Sequence, residues 1–500
     1  MDYKKLQNGS DIRGVALEGI EGQHVNLTEK ACKDIGRGFA LWLKNKLNKN
    51  DLRVAIGRDS RLSGKDLSKY IADSLVAQGV NVTDFGMAST PAMFMSTVTP
   101  PYEFDGSIMV TASHLPFNRN GFKFFTALGG LESKNIKEII AFAESDEQTG
   151  LPCGKLETAE FMDTYADILV NKIRTATGEE LPLKGFKIVV DAGNGAGGFF
   201  VSKVLNPLGA ITDGSKFLEP DGSFPNHIPN PENKEAMESI ISAVKETGAD
   251  LGIIFDTDVD RAGAVLSDGS ELNRNRIIAM LSAILLREHP GTTIVTDSIT
   301  STGLKEFIES KGGVHHRFKR GYRNVINESI RLNNEGKDSQ LAIETSGHGA
   351  LKENYFLDDG AYLVTVLLIE LARGKKMGYT LESLIKDLKE PKESVEFRMN
   401  ILLDDFKPYG QEVIDKLFAY AETKKGWALE KENYEGVRIN LTEEDKNGWL
   451  LLRLSLHDPL LPLNIESNVS GGAKLIAKEL FDFIKEFKYL DVTSLEKYVK

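Results

Sequence analysis

Through residue 315 the hydrophobic and polar positions repeat one order: an apolar run rich in β-branched residues, a polar turn, a helical stretch, then a glycine and a second apolar run. The copies are LRVAIGRDSRLSG (52–64) leading to SLVAQGVNV (74–82), FKIVVDAGNGAGG (186–198) leading to VLNPLGAI (204–211), and TTIVTDSITSTG (292–303) leading to FIESKGGVH (307–315). Their unequal spacing excludes a solenoid. Strands alternating with helices predict an α/β protein of three related αβ domains, with mixed, largely parallel sheets covered on both faces and functional loops at strand ends. From about residue 390 the strands VEFRMNI and WLLLRLSL flank helical stretches, and the chain closes on the amphipathic AKLIAKELFDFIKEF. This predicts a smaller C-terminal α+β domain. The expected domains are 1–155, 156–272, 273–388 and 389–500, with turns near AESDEQTGLPCG (143–154) and SDGSELNRN (267–275).

Composition narrows the class. A chain of 500 residues with 41% hydrophobic and 27% charged positions is an ordinary multi-domain globular protein. The apolar stretch YLVTVLLIELA (362–372) is too short to cross a bilayer, and MDYKKLQNGS has no signal-peptide core, so the expected address is cytoplasmic, with no membrane partner. The two cysteines, Cys32 and Cys153, are too few for a disulfide framework or thiolate metal site. A formal net charge of −12 argues against nonspecific nucleic-acid binding. An anionic small molecule met by a few converging arginines and lysines remains compatible with it.

Four stretches can carry chemistry. In FDTDVDRAG (255–263), Asp256, Asp258 and Asp260 alternate after an apolar strand, and a looped backbone can turn all three carboxylates toward one hard cation, with Mg²⁺ the natural choice. An EF-hand is excluded, because Arg261 and Ser267 stand where its Gly and Glu are required. A hydrolase using Asp256 as nucleophile stays open. In DAGNGAGG (191–198), Gly193, Gly195 and Gly198 match GxGxxG, but no second strand ending in an acid follows, so a close-packed turn into a helix is expected. In IETSGHGA (343–350), Glu344, Ser346 and His348 alternate around a flexible glycine and can face one polyhydroxylated ligand. The fourth stretch is MVTASHLPFNRNGFKFF (109–125). Ser113 lacks the GxSxG elbow, and His114, adjacent on an extended segment, is expected to point away from it. A serine that carries a phosphoryl group beside a metal needs neither, which links Ser113 to the aspartate loop.

These stretches, in this order, resemble the α-D-phosphohexomutase superfamily of phosphoglucomutases, phosphomannomutases and phosphoglucosamine mutases. TASHLP is similar to the family's phosphoserine loop, with Leu115 where Asn is usual; DTDVDR to its metal loop; ETSGH to its sugar loop; GSDIRG (9–14) and PDGSFPNHIPNP (220–231) also match. The resemblance implies a Mg²⁺-dependent mutase interconverting hexose 1- and 6-phosphates of glucose or mannose, through phosphorylated Ser113 and a 1,6-bisphosphate that also serves as activator. Asp256, Asp258, Asp260 and a phosphoserine oxygen on Ser113 would hold the ion. Arg13 and Arg261 would neutralise the serine phosphate, Lys123 would act as acid or base, and His348 would assist proton transfer. Glu344 and Ser346 would grip sugar hydroxyls, with Lys319 in FKRGY a further substrate contact. Thr345 sits at the loop's variable position. Phosphoglucosamine mutase activity is the alternative of the same class; an aspartyl-phosphate phosphatase or a noncatalytic sugar-phosphate sensor are alternatives of another.

One departure stands out. The family offers R-x-S-x-TEP-x-x-R to the non-reacting phosphate, and this chain reads RLSLHDPLLP (453–462). Arg453 and Ser455 are kept, His457 and Asp458 replace Thr and Glu, and Pro462 removes the second arginine, with its charge-assisted hydrogen bonds. A protonated His457 is expected to supply part of the missing charge, so that affinity weakens as the imidazole deprotonates. A second expected donor is the helix start at ESNVSGG (466–472); ordinary capping there by Ser467, Asn468 or Ser470 is the competing reading.

Overall fold

The computed structural model describes residues 2–455 and 458–500. The chain forms two compact units, Met1–Asn273 with Ser346–Ser383, and Arg274–Thr345 with Leu384–Lys500. The stretch expected as one third domain (273–388) is therefore shared between them.

In the first unit an eight-stranded sheet runs in the order Gln7–Asn8, Asp11–Val15, Arg119–Thr126, Gly106–Val110, Arg53–Arg58, Asn81–Met87, Leu156–Thr158, with Gly129–Gly130 beside Arg119–Thr126. Strand Arg53–Arg58 pairs in parallel with both Asn81–Met87 and Gly106–Val110, while Asp11–Val15 and Gly106–Val110 pair antiparallel with Arg119–Thr126. Leu156–Thr158 pairs with Asn81–Met87, so this sheet extends past residue 155. Helix Glu29–Leu47 is started by Thr28, whose hydroxyl accepts the Ala31 N–H, and buries Ile35, Phe39 and Leu43 against the sheet residues Val54, Ile56 and Ile108.

A second sheet orders Glu271–Leu272, Ala262–Leu266, Leu251–Phe255, Ile188–Asp191, with only the last pair parallel. Strand Leu251–Phe255 is buried at every position, which is why it reads as an unbroken apolar run rather than an alternating one. The glycine motif is the close-packed turn expected of it. A Cβ on Gly195 would lie 2.6 Å from Thr257 O, and Ala196 N–H donates to that carbonyl at 2.8 Å. The turn thus braces the aspartate loop from behind.

The second unit holds parallel strands Val314–Phe318, Thr293–Asp297 and Ser339–Ile343 with helices Arg274–Glu288, Thr302–Ser310 and Tyr322–Asn334. It also holds an antiparallel five-stranded sheet ordered Glu393–Asn400, Leu460–Ser467, Gly448–Leu452, Val437–Leu441, Trp427–Leu429. Helices Phe406–Thr423, Gly472–Ile484 and Thr493–Val499 add to a core that includes Met399, Leu417, Leu450, Leu463, Ile476 and Leu480. This is the expected α+β arrangement. The helix start after ESNVSGG departs from both expectations: Glu393 accepts the Gly471 N–H at 2.6 Å and the Ala473 N–H at 2.9 Å. A carboxylate of the chain already occupies that positive terminus, so neither an outside anion nor Ser467, Asn468 or Ser470 caps it.

Candidate active site

Ser113 ends the polar turn after strand Gly106–Val110, at φ +52° and only 3% exposed. That left-handed backbone is held from below. Thr111 Oγ1 accepts the Ser113 N–H at 2.9 Å and donates to Asp59 Oδ2 at 2.6 Å. Arg61, fully buried, donates to the carbonyls of Ser113, Leu115, Pro116 and Arg119, so one guanidinium threads the whole loop. Burial pushes the Asp59 carboxyl up to about 6, against the pull of Arg61 and the Thr111 hydroxyl.

The hydroxyl so presented meets the aspartate loop. Ser113 Oγ donates to Asp256 Oδ2 at 3.1 Å, and Arg261 Nη2 donates to Ser113 Oγ at 3.1 Å. Arg261 also grips Asp256 through its backbone N–H, Nε and Nη2, and reaches Asn230 Oδ1 at 3.1 Å. Lys123 Nζ lies between Asp258, at 3.2 Å, and Asp260. Thr90 donates its hydroxyl to Asp258 Oδ2 and its N–H to Asp258 O.

His114 corrects the sequence expectation. Because Ser113 turns left-handed instead of extending, the two side chains meet, with His114 Nδ1 3.3 Å from Ser113 Oγ. The imidazole is nonetheless a poor base for it. Burial, reinforced by Arg261 and Arg13, pushes its pKa down to about 3, and Arg261 Nη2 lies 2.6 Å from the same Nδ1. His348 behaves oppositely: burial opposes its charge, but Asp358 at 2.5 Å and Asp260 outweigh it and raise the pKa to about 9. A backbone bridge between Arg261 and His348 fixes the ring beside the cluster.

The three aspartates bring carboxylate oxygens within 4.8 Å of one another, all fully buried. Burial and the charges of Asp260 and Asp258 push Asp256 well up, whereas Lys123, His348 and Arg261 overcome burial and hold Asp260 far down. Asp258 Oδ1 and Asp260 Oδ1 are buried with no hydrogen-bond partner among the described residues. Two orphaned oxygens within a cluster of three buried carboxylates fit a hard divalent cation, which prefers oxygen ligands.

Ser113, Lys123, Arg261, His348 and the aspartates are thus gathered in the first unit, with Arg13 bonded to Asp11 at 2.9 Å and near enough to depress His114. Ser346, of the same unit, has a buried Oγ with no partner among the described residues. In the second unit Glu344 Oε1 accepts the Gly321 N–H at 2.6 Å, and Thr345, so far only a variable position, donates its hydroxyl to Asp297 at 2.8 Å. Lys319 and Ser455 share the lining of a cavity of about 510 Å³ with Arg320 and Glu435. Arg453 lies near Arg320, which with burial lowers its pKa. His457 falls outside the described residues.

Sequence reasoning did not single out Asp59, Arg61, Thr111, Thr90 or Asp358. A signal was present. The first strand of each repeat runs into an aspartate, Asp59, Asp191 and Asp297, all buried. Asp59 holds the Ser113 loop and Asp297 holds Thr345, while Asp191 binds His227, Ser239 and its own Gly193 N–H.

Residues 4–150, 163–269 and 273–390 match domains I, II and III of the family described as phosphoglucomutase/phosphomannomutase, alpha/beta/alpha. A phosphomannomutase/phosphoglucomutase of Pseudomonas putida is 31% identical over 94% of this chain and 94% of its own length. A phosphoglucomutase of Neisseria gonorrhoeae is 31% identical over 92% of this chain and 93% of its own. The solved structure of a phosphoglucomutase/phosphomannomutase family protein from Burkholderia thailandensis superimposes with a TM-score of 0.79 at 27% identity, covering 98% of both chains. Three domain matches in succession and relatives alike along almost their entire length mean that the chain belongs to the phosphoglucomutase/phosphomannomutase family of phosphotransferase isomerases, within the α-D-phosphohexomutase superfamily.

Proposed function

We propose that this chain interconverts hexose 1-phosphates and hexose 6-phosphates of glucose, mannose or both, through phosphorylated Ser113 and a hexose 1,6-bisphosphate, which also serves as activator. The observation that carries the reading is the meeting of Ser113 Oγ with Asp256 and Arg261 at 3.1 Å each, between residues 143 and 148 positions apart in sequence. Asp256, Asp258 and Asp260, with an oxygen of phosphorylated Ser113, would hold one Mg²⁺, which when bound supplies positive charge beside the transferring phosphoryl oxygens.

The chain's own groups account for the rest. A sugar hydroxyl bonds to phosphorus as it loses its proton, the bond from phosphorus to Ser113 Oγ breaks, and the serine oxygen takes a proton back. Arg261, already donating to Oγ, is suited to hold the charge that grows there, and Arg13 adds to the same positive field. Lys123, buried between two carboxylates, is suited to move the proton, and His348 stays charged near neutral pH to assist. After the bisphosphate reverses end for end, Ser113 recovers the other phosphoryl group. Glu344, Ser346 and Lys319 would contact the sugar, and Arg453 with Ser455 its non-reacting phosphate. The domain assignment that goes with this reading puts the phosphoserine loop in 1–155, the metal loop in 156–272, the sugar loop in 273–388 and the phosphate loop in 389–500.

A coupled mutase assay over glucose 1-, mannose 1- and glucosamine phosphates, with a bisphosphate activator, tests the reading and its phosphoglucosamine alternative together. Intact-mass measurement should find one added phosphoryl group that Ser113→Ala lacks; a phosphoryl group on an aspartate, labile to hydroxylamine, would instead mark a phosphatase.

A further inference from the structure

The outer face of the C-terminal sheet carries three residues abreast. Arg398 is paired with Pro462 in the register of strands Glu393–Asn400 and Leu460–Ser467. On the other side, Arg453 N–H donates to Pro462 O at 3.1 Å, continuing the ladder that pairs Leu452 with Leu463. Residues directly opposite in antiparallel strands project from one face, with Cβ atoms about 5 Å apart. Pro462, standing where the family resemblance calls for an arginine, is therefore flanked by an arginine on each neighbouring strand.

Those two guanidiniums are incompletely used. Arg398 Nε donates to Glu396 Oε1 at 2.9 Å, its Nη atoms have no partner among the described residues, and its side chain is 69% exposed, so it is within reach of a ligand. Arg453 Nε is buried with no hydrogen-bond partner among the described residues. Arg320 is a third cation at this face: it disfavours the charge of Arg453 after burial has done so, and it helps hold the Glu396 carboxyl down. The nearby carboxylates are Glu396, Glu435, which accepts the Arg320 N–H at 3.0 Å, and Asp297, whose Oδ2 lies 3.9 Å from Arg320 Nε. Neighbouring guanidiniums repel one another unless anions are shared among them, and their forked donors match phosphate oxygens.

We propose that Arg398 is a substrate-binding residue which, with Arg453 and Arg320, receives the non-reacting phosphate of the hexose phosphate and so supplies from the adjacent strand the guanidinium that position 462 lacks. The inference rests on the mutase reading for the identity of the ligand. It replaces a change of residue within one strand by a neighbour on the same face, which sequence spacing alone does not reveal.

The test is titration calorimetry of the full chain with glucose 1-phosphate and glucose 6-phosphate. Arg398→Gln should weaken binding by about tenfold or more, and Arg398→Lys should recover only part of it, since an ammonium cannot bind bidentately. Pro462→Arg placed in the Arg398→Gln chain should return affinity toward wild type, a rescue that a merely structural role for Arg398 does not predict. Affinity of Arg398→Gln within about twofold of wild type overturns the proposal, as does a wild type that binds neither phosphate. Turnover measured in parallel separates the two readings. Arg398-dependent binding without turnover of any hexose phosphate would sink the mutase function and leave the anion site standing, and a working mutase whose Arg398→Gln form keeps its KM would do the reverse.

Discussion

Asp59 accepts the hydroxyl of Thr111 at 2.6 Å, and through that threonine it fixes the backbone of Ser113 two residues on. In the third repeat Asp297 likewise accepts the hydroxyl of Thr345, at 2.8 Å, together with the Thr345 N–H, at 3.3 Å. A strand-end carboxylate that grips a loop threonine is thus a shared device of two repeats, one next to the reactive serine and one within ETSGH. Such a grip restrains a loop that a left-handed residue would otherwise strain.

Thr111→Val removes the hydroxyl that donates to Asp59 Oδ2, although Arg61 N–H still donates to Oδ1 at 3.0 Å, and it leaves the buried Ser113 N–H without its acceptor. A loss of about 2–3 kcal/mol in denaturant unfolding is expected, with a fall in kcat, while Thr111→Ser stays near wild type in both. Equal stability of the valine variant would remove the grip from the account.

Ser113→Ala should abolish mutase turnover, by a factor on the order of 10³ or more, without lowering the free energy of unfolding by more than about 1 kcal/mol, since Asp256 keeps its Arg261 partners. Steady-state kinetics beside thermal denaturation reads both quantities.

The aspartate trio should make stability depend on divalent cation. Thermal melts with and without chelator should differ, with Mg²⁺ at about 100 times its Kd adding about 2.7 kcal/mol, and Asp258→Asn should lose most of that increment. A melting temperature indifferent to Mg²⁺ in the wild type would remove the metal from the site.

His315 lies buried against Thr296 at 2.8 Å, and burial, followed by Arg317 and Arg438, drives its pKa well below 6.5. A folded-state pKa depressed below the unfolded one means that the unfolded chain binds the extra proton. The contribution is complete above about pH 6.5 and is lost as pH falls, at up to about 1.4 kcal/mol per pH unit. His315→Gln should flatten that part of the stability profile.

Cys32 is buried and its pKa is pushed up to about 12, mainly by burial, whereas Cys153 is exposed. Iodoacetamide on the native protein should therefore modify Cys153 alone, and Cys32 only after unfolding; mass spectrometry of tryptic peptides separates the two.

The linear chain by itself determined the repeat, the α+β ending and the stretches that carry chemistry, because strand periodicity and the alternation of Asp256, Asp258 and Asp260 are local properties of neighbouring residues. It did not determine who meets whom. The contact of His114 with Ser113, the threading of the serine loop by Arg61, the capture of the Gly472 helix start by Glu393 and the alignment of Arg398 with Pro462 each depend on a backbone turn or a strand register set by packing far along the chain. Charge and hydrogen bonding act over a few ångströms in space, while sequence orders residues only by their separation along the backbone, and the fold alone converts one into the other.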